Sequence, residues 1–159
     1  MQALMQITFR QFLPGDGRVF RELNEQWIAK YFVLEEKDRL TLNDPEKYIL
    51  GRGGRIYFAT LDDEIVGCCA LIANGPDSYE VAKMAVDESR RNLGIGKAML
   101  GHVVEAALSL GARKLTLETN SKLMNAIHVY ESLGFRHIDP SLIEPSPYKR
   151  ANVFMERLL

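Results

Sequence analysis

Apolar and polar positions along the chain follow two periods, and each period predicts one kind of element. Short apolar or alternating runs predict six or seven strands, at 7–12, 55–61, 64–73, 79–86, 114–119, 135–138 and 152–159. Apolar residues at helical spacing predict about four helices, at 16–31, 44–50, 95–111 and 121–133. The polar stretch 35–42 follows neither period. This mixture predicts a single α/β domain over residues 1–159, with helices packed on a mixed sheet.

A glycine-containing turn joins the predicted strand at 79–86 to the helix that follows it. The turn reads Arg91-Asn92-Leu93-Gly94-Ile95-Gly96-Lys97. The first N–H groups of a helix have no partner within the helix, and the helix dipole adds positive charge at that end. Glycines allow a ligand to approach the backbone closely. The turn is therefore predicted to bind a phosphate or a pyrophosphate.

Two common nucleotide motifs do not fit this turn. A P-loop requires Gly-x-x-x-x-Gly-Lys-Ser/Thr, but Ala98 follows Lys97 and Arg91 stands where the first glycine belongs. A dinucleotide-binding fingerprint requires three glycines after an early strand, and this turn has two glycines late in the chain. Another kind of phosphate ligand is therefore expected.

Composition and charge narrow the classes of partner. Apolar residues make up 47% of the 159 residues and the net charge is −1, which gives no electrostatic reason to expect nucleic acid or an anionic membrane. No apolar run approaches the length of a membrane span and no signal peptide is recognisable, so we expect a cytoplasmic protein. Cys68 and Cys69 are neighbours that would point to opposite faces of a strand, and the three histidines show no ligand spacing. We expect neither a disulfide nor a metal site.

Four segments resemble the GNAT superfamily of acyl-CoA-dependent N-acyltransferases, and together they span about residues 64–138. In chain order they are Glu80-x-x-x-Met84-x-Val86, Arg91-x-x-Gly94-x-Gly96, Leu115-x-Leu117-x-Thr119 and Ala126-Ile127-x-x-Tyr130-Glu131-x-x-Gly134-Phe135. The resemblance implies a sheet of six to seven mostly antiparallel strands. It also implies that the strands at Met84 and Leu115 run parallel and splay apart, with the glycine-capped helix crossing between them.

The resemblance further implies that acetyl-CoA is the co-substrate. The backbone from Arg91 to Lys97 would wrap the pyrophosphate, and the strand Met84-Ala85-Val86 would pair with the pantetheine arm. An N–H group near Met84 or Ala85 would polarise the thioester carbonyl. Many members have an asparagine three residues before the alanine aligned at Ala126, where this chain has Leu123. Asn120 or Asn125 is expected to replace that cofactor contact.

Two side chains are candidates for proton transfer. Tyr130, which the resemblance places beside the sulfur of CoA, is the candidate general acid, because a phenol can protonate a departing thiolate. Glu80 is the candidate general base for the amine, acting directly or through water. The alternatives are a packing role for Tyr130 and a solvated glutamate at 80, with Tyr79 as a substitute base.

The predicted function is acetyl transfer from acetyl-CoA to a primary amine of a small molecule or a protein, by direct attack in a ternary complex. The alternative is a non-catalytic acyl-CoA-binding or regulatory module on the same fold. A homodimer is possible. The acceptor stays open: the loop around Pro145 and Arg150 either walls an acceptor pocket or is a surface connection, and the acids Glu35, Glu36 and Asp38 either attract an amine or are simply solvated.

Overall fold

The computed structural model describes residues 6–90 and 92–159, and helices and strands are mixed along that part of the chain. Five α-helices and seven strands are present in the described residues. In chain order they are β1 (Ile7–Gln11), α1 (Gly17–Tyr31), α2 (Glu36–Asn43), α3 (Pro45–Tyr48), β2 (Arg55–Leu61), β3 (Glu64–Gly75), β4 (Ser78–Val86), α4 (Ile95–Ser109), β5 (Lys114–Thr119), α5 (Met124–Ser132), β6 (Arg136–His137) and β7 (Val153–Leu158).

All seven strands belong to one sheet, in the order β1-β2-β3-β4-β5-β7-β6. Every neighbouring pair is antiparallel except β4 and β5, which run parallel and are joined through α4. The hairpin between β2 and β3 turns at Asp62 and Asp63, both with positive φ, as a tight two-residue hairpin requires. This sheet confirms the predicted fold class, including the parallel pair.

The sheet separates two hydrophobic cores. On one face, buried residues of β2–β5 pack against α4 and α5. On the other face, buried residues of β2 and β3 pack against α1 and the segment from α2 to Leu50. Cys69 belongs to the first core and Cys68 to the second, so the adjacent cysteines point in opposite directions as expected. Both thiols are free.

One helix was not predicted and one predicted helix boundary is wrong, both for local reasons. The polar stretch at 35–42 contains a fifth helix, α2, because Glu35 and Asp38 form a reciprocal capping box at its start. The helix predicted at 121–133 begins only at Met124. Asn120 holds the preceding residues in a turn, since its side-chain oxygen accepts from the Lys122 N–H at 2.8 Å and its carbonyl accepts from the Leu123 N–H at 2.9 Å.

None of the helices in the described residues combines the length and the apolar character needed to cross a bilayer. Nor do histidine, cysteine, aspartate and glutamate side chains in that part of the chain gather into a group of three or more suited to a metal ion.

Candidate active site

The parallel strands β4 and β5 are paired only at their beginnings. Ser78, Tyr79 and Glu80 pair with Lys114, Leu115 and Thr116, and no further residue of β4 pairs with β5. Beyond Glu80 the two strands diverge, while β4 continues to Val86 and β5 to Thr119. The edge of β4 that faces β5 is therefore without a strand partner over its second half, which leaves an open cleft in the middle of the sheet.

A β-bulge lies in β4 at the point where the cleft opens. Cys68 pairs with Ala85 and Ala70 pairs with Ala82, so Lys83 and Met84 together oppose the single residue Cys69. Lys83 has a φ of +52°, a left-handed backbone conformation that residues other than glycine rarely adopt. Bulges re-aim side chains and are common beside active sites.

The cleft contains a cavity of about 230 Å³, here called the inner cavity. Its lining includes the predicted proton-transfer residues Glu80 and Tyr130 and the predicted cofactor strand from Met84 to Val86. Trp27 and Phe32 close it from the side of α1. The structure therefore brings together two predicted catalytic side chains that lie 50 residues apart in sequence.

The amino end of α4 borders the same strand. Gly94 is the N-cap residue with a φ of +76°, and no side chain in the described part of the chain caps the helix. The first helical hydrogen bond is donated by the Ala98 N–H to the Gly94 carbonyl, so the N–H groups of Ile95, Gly96 and Lys97 precede the regular ladder. A Cβ atom built on Gly94 would meet no atom within 4 Å, so there is open space beside these groups.

Three more residues of the predicted pyrophosphate turn stand before this helix. Asn92 has a φ of +64° and Leu93 is exposed. Arg91 lies outside the described residues, and its predicted role stays a prediction. The described backbone ends in free N–H groups with partial positive charge, which is what an anion needs for binding. The negatively charged oxygens of a pyrophosphate match these groups.

The carboxyl group of Glu80 lies in an environment that favours its neutral form. Burial raises its pKa to about 7, and the nearby carboxylate of Glu118 adds to the effect, while Lys37 and Lys83 oppose it. Glu118 also lines the inner cavity, and its side chain accepts a hydrogen bond from the Ser146 hydroxyl at 2.6 Å. A carboxyl group that titrates near neutral pH is suited to accept a proton from an amine.

Tyr130 belongs to α5 and is 9% exposed. Its ring packs edge-on against Phe135, with the ring centroids 6.1 Å apart. Burial raises the pKa of its phenol above the ordinary value, and the proximity of Cys69 adds to this. The packing alternative considered from sequence therefore describes part of its environment, but the side chain also faces the inner cavity.

The two asparagines expected to replace the missing contact occupy different positions. Asn120 lines the inner cavity, where its side-chain amide donates to the Arg150 carbonyl at 2.6 Å. Asn125 is exposed on α5 and does not line this cavity, whereas Leu123 does. Of the two, Asn120 has the position suited to a ligand, but its polar atoms already hold the Lys122 and Arg150 backbone.

A buried ion cluster closes the side of the cleft that faces α2. The carboxylate of Asp38 is fully buried, and it accepts from Lys83 Nζ at 2.7 Å and from both terminal nitrogens of Arg150 at 2.6 and 2.7 Å. Burial alone would raise the pKa of Asp38, but these hydrogen bonds outweigh it and lower the pKa to about 2. Asp38 is therefore not one of the solvated acids considered from sequence.

Tyr148 and Arg150 line the inner cavity, so the loop before β7 walls the pocket. The Tyr148 hydroxyl accepts from Lys83 Nζ at 3.1 Å, and the Arg150 guanidinium lies 4.6 Å from the centre of the Tyr148 ring. Glu35 ties the same loop to α2, since its carboxylate accepts from the Lys149 N–H at 3.0 Å. Of the two interpretations of this loop, the structure supports the wall.

A second, larger cavity of about 1270 Å³, here called the outer groove, continues from this wall towards the surface. It shares Glu80, Lys83 and Tyr148 with the inner cavity, and it is bounded by α2, the end of α1 and residues 147–150. An acceptor entering through this groove would reach Glu80 from the side opposite to α4.

Sequence reasoning missed the members of the ion cluster. Asp38, Lys83 and Arg150 are separated by 45 and 67 positions, so no local spacing connects them. One signal was available: Lys83 is a charged residue in the middle of an otherwise largely apolar strand, and such a charge needs a buried partner. Its partner on α2 was not identifiable, since that helix itself was not predicted.

The splayed sheet and the uncapped helix beside it are the fold and the cleft of an acyl-CoA-dependent N-acyltransferase. A model of the acetyltransferase (GNAT) family matches residues 4–135. The chain belongs to this family. That assignment confirms the resemblance seen in the sequence motifs.

Individual relatives agree with this assignment. The uncharacterized N-acetyltransferase YjgM of Escherichia coli is 31% identical over 137 residues, which cover 81% of this chain and 79% of that protein. YvbK of Bacillus subtilis, also named as an uncharacterized N-acetyltransferase, is 32% identical over 62% of this chain and 66% of its own length. The N-acetylaspartate synthetase of Xenopus tropicalis is 34% identical over 66% of this chain. The chain spans just under two thirds of YvbK and only 40% of the synthetase.

Solved structures reproduce the fold. A GNAT acetyltransferase from Staphylococcus aureus superposes with a TM-score of 0.85 at 24% identity, covering 96% of this chain and 99% of that one. The N-acetylglutamate synthase of Neisseria gonorrhoeae, solved with coenzyme A and N-acetyl-glutamate, superposes with a TM-score of 0.72 at 17% identity. That match covers 100% of this chain and 36% of the synthase.

Proposed function

We propose that this chain transfers an acetyl group from acetyl-CoA to a primary amine by direct attack within a ternary complex. The observation that carries the proposal is the inner cavity, in which Glu80 and Tyr130 face the unpaired edge of β4. The names of the relatives support it, since each is an N-acetyltransferase or a synthetase of an N-acetylated amino acid.

The amino end of α4 would hold the pyrophosphate through the N–H groups of Ile95, Gly96 and Lys97. The free edge of β4 from Met84 to Val86 would pair with the pantetheine arm, as an added strand pairs with a sheet edge. A backbone N–H at Met84 or Ala85 would donate to the thioester carbonyl. Donors of this kind contribute about 2.7–4 kcal/mol to transition-state stabilisation in enzymes from which one was removed.

Glu80 and Tyr130 account for the protons. The amine nitrogen forms a bond with the acyl carbon, the bond from that carbon to sulfur breaks, and Glu80 accepts the proton that the nitrogen loses. Tyr130 donates its phenolic proton to the departing sulfur. Because Glu80 lies four residues before Met84, its contact with the amine is direct or passes through water.

Release of free thiol from acetyl-CoA in the presence of amines tests the proposal. Tyr130→Phe keeps the ring that packs on Phe135 but removes the proton, so thiol release should fall by about 10²-fold or more while CoA affinity measured by calorimetry is unchanged. A variant that binds CoA and turns over as fast as the wild type would show that Tyr130 is not the general acid. If the wild type binds CoA and no amine is acetylated, a non-catalytic acyl-CoA-binding module is the better description.

A further inference from the structure

The charges that line the cleft differ between its inner and outer parts. At the inner end, the carboxylate of Glu118 lies close enough to Glu80 to raise the pKa of Glu80, adding to the effect of burial. In the wall between the two cavities, Lys83 and Arg150 are matched by the acids Asp38 and Glu35, so this cluster adds no net charge. Any net charge in the outer groove therefore comes from the remaining side chains along its rim.

The rim of the outer groove is cationic. Four exposed basic residues line it: Lys37, Arg52, Lys122 and Lys149. Among the described residues, none of these four forms a salt bridge. Glu36 is the one exposed acid among the described residues that line the groove, and it lies 4.0 Å from Arg39. Since the whole chain has a net charge of −1, this excess of positive charge is local.

Two of these cations lie over aromatic rings that face the cleft. Lys37 Nζ is 5.5 Å from the centre of the Tyr148 ring, and Lys122 Nζ is 5.8 Å from the centre of the Phe32 ring. Burial and Glu118 raise the pKa of Glu80 and Lys37 opposes them, so Lys37 is within electrostatic reach of the candidate base. The ammonium groups are thus held at the sides of the route to Glu80.

We infer that the acceptor is a small primary amine that also carries a carboxylate, with its amine at Glu80 and its carboxylate among Lys37, Lys122 and Lys149. This inference rests on the proposed acetyl transfer. An amine approaches an acidic inner end, whereas an anionic group is attracted to the basic rim, so the two ends of the cleft orient an acceptor of mixed charge. A diamine of the same length would place its second ammonium among the lysines and be repelled.

The test compares acceptors matched in length. Thiol release from acetyl-CoA is measured with a trio of acceptors of equal length: the carboxylate β-alanine, its amide β-alaninamide and the corresponding propane diamine. Trios of longer homologues follow, and then α-amino acids with their amides. The inference predicts a higher kcat/KM for the carboxylate member of a trio than for its amide, and the lowest value for the diamine. It also predicts that this preference weakens as the salt concentration rises.

Charge-neutralising variants locate the source of the preference. At a pH well above 7, where Glu80 is deprotonated in every enzyme compared, Lys37→Gln and Lys149→Gln should each raise KM for the best carboxylate acceptor by about twofold to fivefold, with KM for acetyl-CoA and kcat unchanged. KM for the matched amide should not rise. Arg113→Gln is the matched control, because Arg113 is an exposed cation immediately before β5 that lines neither cavity. It should leave all acceptors unaffected.

The outcomes separate the inference from the function on which it rests. Faster acetylation of the amides or the diamines than of the carboxylates overturns the inference and leaves the proposed function standing. Lysine variants that behave like Arg113→Gln would likewise overturn the inference alone. Absence of thiol release with every amine, although CoA binds, overturns the function and the inference together.

Discussion

The two sides of the cleft are built in different ways. The side proposed to hold CoA is made from one continuous stretch, in which the end of β4 leads through Gly94 into α4. The side proposed to face the acceptor is assembled from α2, β4 and the loop before β7, which meet at the buried cluster of Asp38, Lys83 and Arg150. The first side depends on backbone conformation and the second on buried charge, and substitutions should therefore damage them in different ways.

The largest effect is expected where the two sides meet, at Glu80. Glu80→Gln removes the base and keeps the shape of the side chain, so kcat/KM should fall by about 10²–10⁴-fold while CoA affinity is retained. In the wild type, kcat/KM should rise with pH through about 7 and then level off, because the base acts only when deprotonated. This rise of kcat/KM near pH 7 should be absent from the pH profile of Glu80→Gln.

Glu22→Gln is the control for this change, since Glu22 is exposed on α1 and pairs only with its neighbour Arg18 among the described residues. Its pH profile should match that of the wild type. If kcat/KM of the Glu80→Gln enzyme still rises with pH near 7, the base is another group, with Tyr79 or a water held elsewhere as the remaining candidates.

The acceptor side should be the more sensitive of the two in stability. Asp38→Asn leaves Lys83 and Arg150 without their shared counter-charge in a buried position, and removing one partner of a buried ion pair costs about 3–5 kcal/mol. Urea unfolding measures this loss. Asp77→Asn, at an exposed position in the turn between β3 and β4, should change the free energy of unfolding by no more than about 0.5 kcal/mol.

Acid should weaken the same cluster. The pKa of Asp38 is about 2 in the folded protein and about 3.8 in an unfolded chain, so its contribution to stability is complete above pH 4 or so and is lost as the pH falls through about 2. The shift corresponds to about 2 kcal/mol. The difference in unfolding free energy between wild type and Asp38→Asn should therefore shrink towards pH 2. A difference that stays constant with pH would contradict the ion cluster.

The CoA side should respond in affinity, with a smaller effect. Gly94→Ala forces a side chain into a left-handed conformation at a cost of about 1–2 kcal/mol, which the turn relieves by moving its N–H groups. CoA affinity should fall by about tenfold, measured by calorimetry. Gly101→Ala lies in the middle of α4 with open space around its Cβ, so it should leave CoA affinity unchanged and stabilise the helix. Equal CoA affinities in the two variants would contradict a role of the turn at Gly94 in CoA binding.

The same contrast explains how much of the molecule could be predicted. Local pattern was sufficient for the bounds of β2 and β5 and for the strand–turn–helix around Gly94, because each is set by residues that are neighbours in sequence. It was also sufficient to propose Glu80 and Tyr130, which family motifs placed and the structure brings to one cavity.

The acceptor wall could not be predicted, because its contacts join residues far apart in the chain. Asp38 looks like one of three acids in a polar stretch until Lys83 and Arg150 are brought to it by the fold. The bulge that turns Lys83 inward is likewise a property of strand pairing, visible only when β3 is laid against β4. The cationic rim also depends on tertiary structure, since Lys37, Lys122 and Lys149 come from three separate segments.

A crystal structure of the protein with coenzyme A would decide whether the cleft binds the cofactor as proposed. We expect the diphosphate within hydrogen-bond distance of the backbone N–H groups of Ile95, Gly96 and Lys97, with the pantetheine arm lying along β4 from Met84 to Val86 and its sulfur close to Tyr130. A diphosphate bound elsewhere on the protein, or a pantetheine arm that leaves the gap between β4 and β5 empty, would contradict this arrangement.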